Sequence, residues 1–261
     1  MQLEIISKQP EQLAHTTPLL FIHGAWHGAW CWENFLPYFA ACGYEVHALS
    51  LRGHGNSEGK ENIRWYSVND YVADVKQVIN SFKQRPALIG HSMGGYIMQK
   101  YLETQDTPAG VLLASVPVTG TMGMMTRFLR RYPKTTLQSL LFFDPGYLVS
   151  TPAIAKDCFF SDDFPQAEYL KHYARIQTES YRLGLDAALF NLPRPYKVNT
   201  PLLVLSAQND RTFSIREQKA TARAYHTEAI FFPHMAHDMM LEKDWQAVAN
   251  KIINWLTVKG L

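Results

Sequence analysis

A chain of 261 residues, 47% hydrophobic and 18% charged, has the composition of a globular protein with one large core, which excludes disordered and fibrous classes. Its formal net charge of +2, with no basic run longer than Arg130-Arg131, excludes a nucleic-acid or anionic-membrane footprint and leaves a small molecule as the expected partner. Cys31, Cys42 and Cys158 are too few and scattered for a disulfide framework or metal cluster, and read as buried thiols in a reducing compartment.

The N-terminus carries Glu4 where a signal peptide needs an apolar stretch, and no apolar run approaches the ~20 residues that span a bilayer. A cytoplasmic protein without a membrane span, monomeric or homodimeric, is the expectation. Short apolar runs then alternate with amphipathic segments, the βα rhythm of a mostly parallel sheet. Leu3–Ser7, Pro18–Ile22, Glu45–Leu51, Ala87–Gly90 and Gly110–Ala114 read as strands. Between the third and fourth, Val68 to Phe82 spaces Val68, Tyr71, Val72, Val75, Val78, Ile79 and Phe82 as one buried helical face, with Ser67 as its N-cap. From Val116 to Pro195 the rhythm is lost among prolines, aromatics and methionines, so that 116–195 reads as a helical insertion, a cap, in a core domain made of 1–115 and 196–261. The rhythm resumes with a strand at Pro201–Ser206, a helix near Ile215–Tyr225, a strand at Ala229–Phe232 and a final helix near Trp245–Leu256.

Gly90-His91-Ser92-Met93-Gly94 has the G-x-S-x-G form of a nucleophile elbow. By composition alone such a pentapeptide turns up in roughly one chain of this length in twenty. Its setting carries the weight: an apolar strand precedes it and a helical segment, Tyr96 to Leu102, follows, so Ser92 is the candidate nucleophile. A serine hydroxyl needs a histidine base, and the base needs a carboxylate to fix its tautomer. For this fold the chain order is Ser, acid, His. Asp210 lies just beyond the strand ending at Ser206, where ligands bind in such sheets; an Asx turn or a cap ahead of Ile215 is its structural alternative. Asp144 and Asp186, inside the insertion, are less suitable. Of the histidines after Asp210, His226 precedes the last strand and stands at the wrong end of the sheet. His234 and His237 both follow that strand, and His237 is preferred because Ala236 before it is small. Two backbone N–H donors for an oxyanion are expected from Met93 and, in the loop His23-Gly24-Ala25-Trp26, from Ala25. Trp26 and His91 are candidate pocket residues, whereas Trp30 and Trp32 read as packing.

His23-Gly24, the run Leu51-Arg52-Gly53-His54-Gly55-Asn56-Ser57, the elbow, Asp210 and His237 together resemble the α/β-hydrolase superfamily over essentially the whole chain. The loop His23-Gly24-Ala25-Trp26-His27-Gly28-Ala29-Trp30-Cys31-Trp32 is similar, more narrowly, to the plant methylesterase and hydroxynitrile lyase group. That resemblance implies a helical cap over the site and backbone donors at Ala25 and Met93. The lyases carry a lysine after the histidine and a threonine after the first loop histidine; Asp238 and Gly24 stand there instead, which argues against cyanohydrin cleavage. Ser50 replaces an aspartate that many superfamily members place before the Arg-Gly-His-Gly turn. The resulting expectation is a carboxylesterase or lipase-like serine hydrolase for small apolar esters, without metal or organic cofactor. Met122, Met124, Met125, Phe128, Phe142, Phe143, Phe159 and Phe160 in the cap suggest the apolar preference. A C–C or thioester hydrolase on the same triad, or a non-catalytic receptor of the same fold, are the alternatives.

Overall fold

The computed structural model describes residues 1–261 and contains a seven-stranded sheet. Its strands are β1 (Ile5–Lys8), β2 (Leu19–Ile22), β3 (Val46–Leu49), β4 (Ala87–His91), β5 (Gly110–Leu113), β6 (Leu202–Ala207) and β7 (Ala229–Phe232), in the spatial order β1-β3-β2-β4-β5-β6-β7. All neighbours pair in parallel except β1, which runs antiparallel to β3. β2, β4, β5 and β6 are buried along their whole length. That is why they appear in the sequence as nearly continuous apolar runs, since a parallel sheet is covered on both faces. β1 differs: it is exposed throughout, begins two residues later than its apolar run suggests, and sits at the sheet edge.

The helices α1 (Phe35–Ala41), α2 (Val68–Ile79), α3 (Met93–Leu102), α9 (Ile215–Ala224) and α10 (Trp245–Val258) belong to the chain on either side of a second helical segment. α2 starts as its pattern indicates: Asp70 reaches back to accept the Ser67 N–H at 2.8 Å and the Ser67 hydroxyl at 2.7 Å, satisfying groups the helix start leaves unpaired. It ends at Ile79, three residues before Phe82. Between β5 and β6 lie α4 (Met122–Arg131), α5 (Pro133–Phe142), α6 (Pro152–Phe159), α7 (Gln166–Tyr173) and α8 (Tyr181–Leu185), the last continued by a π-turn over Asp186–Phe190. No strand interrupts them.

Phe21 of β2 packs at 5.0 Å from Trp32 and 5.4 Å from Phe39, ring centre to ring centre, beneath the loop that follows β2. Trp32 is therefore a core residue, and Trp30 lies under the Arg175 guanidinium at 4.4 Å. Cys31 and Cys158 are buried as expected, but Cys42, just past α1, is exposed, because the helix ends there and the chain turns out at Gly43. No helix is long and apolar enough to cross a membrane.

Candidate active site

β4 ends at His91 and α3 begins at Met93, so Ser92 alone makes the turn between them. It does so at φ 50° and ψ −114°, a backbone state that a non-glycine residue occupies only when its surroundings impose it, at a cost of about 1–3 kcal/mol. The flanking glycines permit the turn. A Cβ on Gly90 would sit 2.7 Å from the Gly94 carbonyl oxygen and the Gly95 Cα, and one on Gly94 would strike the Ile22 and His23 carbonyl oxygens. The elbow is thus wedged between its own helix and the end of β2.

The loops after β6 and β7 bring two more residues to this turn. His237 Nε2 lies 2.9 Å from Ser92 Oγ, and its Nδ1 lies 2.9 Å from Asp210 Oδ2. The other Asp210 oxygen, Oδ1, accepts the Thr212 N–H at 2.7 Å and the Phe213 N–H at 3.0 Å. Asp210 is therefore both an Asx-type turn residue and the partner of His237, one role on each oxygen. Ser92, His237 and the Asp210 carboxylate are nearly inaccessible to solvent. His234 is exposed in the left-handed region at φ 60°, and His226 lies at the opposite end of β7. Burial alone would lower the basicity of His237, but the charge and hydrogen bond of Asp210, helped by Asp238, outweigh it and raise its pKa above the ordinary imidazole value. Such a chain can take the serine proton and hold it as a carboxylate-stabilised cation.

Beside the Ser92 hydroxyl, Met93 opens α3, where a backbone N–H has no helical carbonyl to bond. The Ala25 N–H in the loop after β2 donates to no protein group. Both residues line the same cavity as Ser92.

A model of the alpha/beta hydrolase family matches residues 19–251. The chain belongs to that family. It is 34% identical over 103 residues to salicylic acid-binding protein 2 of Nicotiana tabacum, a match covering 37% of this chain and 38% of that protein. It is 22% identical over 251 residues to the monoacylglycerol lipase of Mycolicibacterium smegmatis, covering 91% and 87% of the two. In fold it is similar to an esterase from Exiguobacterium antarcticum, with a TM-score of 0.76 at 16% identity over 98% of this chain and 95% of that one. The local matches to the plant proteins thus span under half of their length, and the fold likeness extends over the whole chain.

This alpha/beta hydrolase carries a second polar group behind the first. Asp238 Oδ2 lies 3.0 Å from His27 Nε2, and His27 Nδ1 lies 2.6 Å from the Ala25 carbonyl oxygen. Burial opposes ionisation of Asp238, but His27, His91 and His237 around it hold its carboxyl below the ordinary value. His91 does not line the cavity, contrary to the reading of it as a pocket residue. It points beneath the loop after β2, where a Cβ on Gly24 would come within 2.7 Å of its Nδ1, and its Nε2 lies 3.1 Å from the His237 carbonyl oxygen. Burial and the neighbouring His237 push its pKa down to about 3, so its neutral ring donates that bond. His91, His237 and Asp238 bring donor atoms within 4.8 Å of one another, yet both His237 nitrogens are already engaged by Ser92 and Asp210, which leaves that ring no free ligand atom for a metal.

The cavity in front of Ser92 has a volume of about 390 Å³ and 28 lining residues, of which 18 are hydrophobic. Trp26 forms part of its wall and donates its indole N–H to the Pro145 carbonyl at 3.2 Å. Of the apolar residues that the composition between β5 and β6 suggests, Met122, Met124 and Met125 face the cavity. The phenylalanines do not: Phe128, Phe159 and Phe160 pack in the core, and Phe142 and Phe143 are half exposed. Val116, Leu148, Leu183 and Phe213 are also part of the wall, positions that no local pattern in the sequence marks.

Proposed function

We propose that this alpha/beta hydrolase is a serine hydrolase of small, apolar carboxylic esters, with residues 116–195 as a cap that supplies most of the pocket. Ser92 Oγ attacks the ester carbonyl carbon while His237 Nε2 takes its proton; the C–O bond then breaks and His237 returns the proton to the departing alcohol. Water, deprotonated by the same imidazole, cleaves the acyl-enzyme. Asp210 holds the Nδ1–H tautomer, and the N–H groups of Ala25 and Met93 meet the oxyanion. These side chains and water suffice for the sequence of steps.

The observation that carries this reading is the hydrogen-bonded chain Ser92, His237, Asp210 opening onto an apolar cavity beside two backbone donors without helical partners. Relatives named as an esterase and a lipase support the reaction class. The wall contains no lysine or arginine, so the phosphates of an acyl-CoA thioester meet no cation there, which favours the ester over the thioester reading. Initial rates with p-nitrophenyl acetate, butyrate and octanoate, compared with acyl-CoAs and a dienone, test the class: the esters are expected to turn over at least about 100-fold faster by kcat/KM. Faster cleavage of a thioester or a carbon–carbon bond would replace the ester reading.

Because His237 must be neutral to accept the Ser92 proton, its raised pKa has a definite sign for activity. kcat/KM for an ester is expected to climb with pH through a single ionisation lying above the ordinary imidazole value of about 6.5 and then level off. A stopped-time pH series between pH 5 and 9 reads it directly; a flat profile across that interval would remove His237 from the role of base.

A further inference from the structure

Glu179 is the one carboxylate among the residues lining the cavity, and it is buried. It enters just ahead of α8, and all its acceptor capacity is directed at the core. Oε2 accepts the Trp26 N–H at 3.2 Å and lies 3.0 Å from His54 Nε2, while Oε1 accepts the N–H of its neighbour Ser180 at 2.6 Å. Two residues earlier, the Gln177 N–H donates to the Trp26 carbonyl at 3.0 Å. The Gln177 amide reaches past it to the turn after β3, accepting the Gly55 N–H at 2.9 Å and donating to the Gly53 carbonyl at 2.7 Å.

The Glu179 bond acts on the peptide unit that joins Ala25 to Trp26, and the Gln177 N–H holds the carbonyl of the next unit, between Trp26 and His27. The carbonyl of the first unit faces His27 Nδ1 at 2.6 Å and its N–H faces Glu179, so the plane is held at both ends. The outside support has a reason: Trp26 has φ 65°, in the left-handed region that a bulky side chain rarely adopts. The His54 ring behind Glu179 places its two nitrogens 3.0 Å from acceptors, the Arg52 carbonyl and the Glu179 carboxylate. Burial alone would discharge this ring, but the facing carboxylate raises its pKa, and the 3.0 Å contact with His54 Nε2 keeps Glu179 in place.

We infer that Glu179 is a positioning residue of the cap: by holding the peptide unit after Ala25 it aims the Ala25 N–H at the point where the oxyanion develops. The packing of the helical segment against the loop after β2 and the orientation of the Ala25 donor are then coupled. The inference rests on the proposed role of Ala25.

Two neutral side chains of similar length separate this from general packing. Glu179→Gln keeps an oxygen for the Trp26 N–H, and Glu179→Met removes it; both remove the negative charge that faces His54. Losing an oxyanion donor outright costs about 10²–10³ in kcat, so the methionine variant is expected at least about tenfold below the glutamine variant in kcat on p-nitrophenyl butyrate. KM should agree within about threefold, because the donor acts on the transition state. Should the methionine variant not fold, Glu179→Asp, which keeps the charge but withdraws the oxygen by one methylene, takes its place with the same expected kcat deficit. Equal kcat in the paired variants, or a difference confined to KM, would overturn the inference. Fluorophosphonate labelling of Ser92 in the same preparations reads the serine-hydrolase assignment independently: labelled variants with equal kcat refute the role of Glu179 alone, and an unlabelled wild type refutes the reading beneath it.

Discussion

Alanine at position 92 is expected to lower kcat on p-nitrophenyl esters by about 10⁶-fold, to the level set by binding and the backbone donors alone. Ser92 contributes the only side-chain hydroxyl bonded to His237, so the variant has no oxygen with which to form the acyl-enzyme. Stability should be nearly unchanged. The turn at φ 50° is imposed by Gly90, Gly94 and the end of β2, and alanine inherits the same strain with one hydrogen bond fewer. Progress curves on protein of verified melting temperature provide the check. Turnover within about 100-fold of wild type would mean that another group is the nucleophile.

Asp210→Asn is expected to lower kcat by about 10⁴-fold while leaving the fold intact. The geometry dictates which way the amide turns. Thr212 and Phe213 present backbone N–H donors to Oδ1, so the asparagine oxygen stays there and its NH₂ faces His237 Nδ1. A ring that must accept at Nδ1 carries its hydrogen on Nε2 and offers Ser92 no base. The charge that raises the His237 pKa is lost as well, so the residual activity should reach its plateau at lower pH than in the wild type. Parallel pH profiles of the two proteins read both effects. A variant that keeps a tenth of the rate, or an acid limb that does not move, would contradict the assigned role of the carboxylate.

Much of the sheet is legible in the sequence because β2, β4, β5 and β6 are covered on both faces and are apolar at nearly every position. β1 is harder to delimit, since an exposed edge strand has no such requirement. The meeting of Ser92, Asp210 and His237 can be anticipated by motif and chain order because each follows a strand recognisable as such. His91 misleads for the opposite reason: adjacency to Ser92 suggests the pocket, but the elbow turns between the two and sends the imidazole under Gly24. Glu179 gives no local signal at all. Its partners His54 and Trp26 are 125 and 153 residues away, and only the path of the helical segment brings them together. The cavity wall is opaque for the same cause, because methionine and phenylalanine serve core and pocket alike, and which way each points depends on helix packing.

The central claim, an activated Ser92, is tested most directly by reacting the wild-type protein with an alkyl fluorophosphonate and mapping the adduct by tandem mass spectrometry. One phosphonyl group on the peptide containing Ser92, absent from Ser92→Ala and slowed in Asp210→Asn, is the predicted result. An unmodified protein, or an adduct on any other residue, would contradict it.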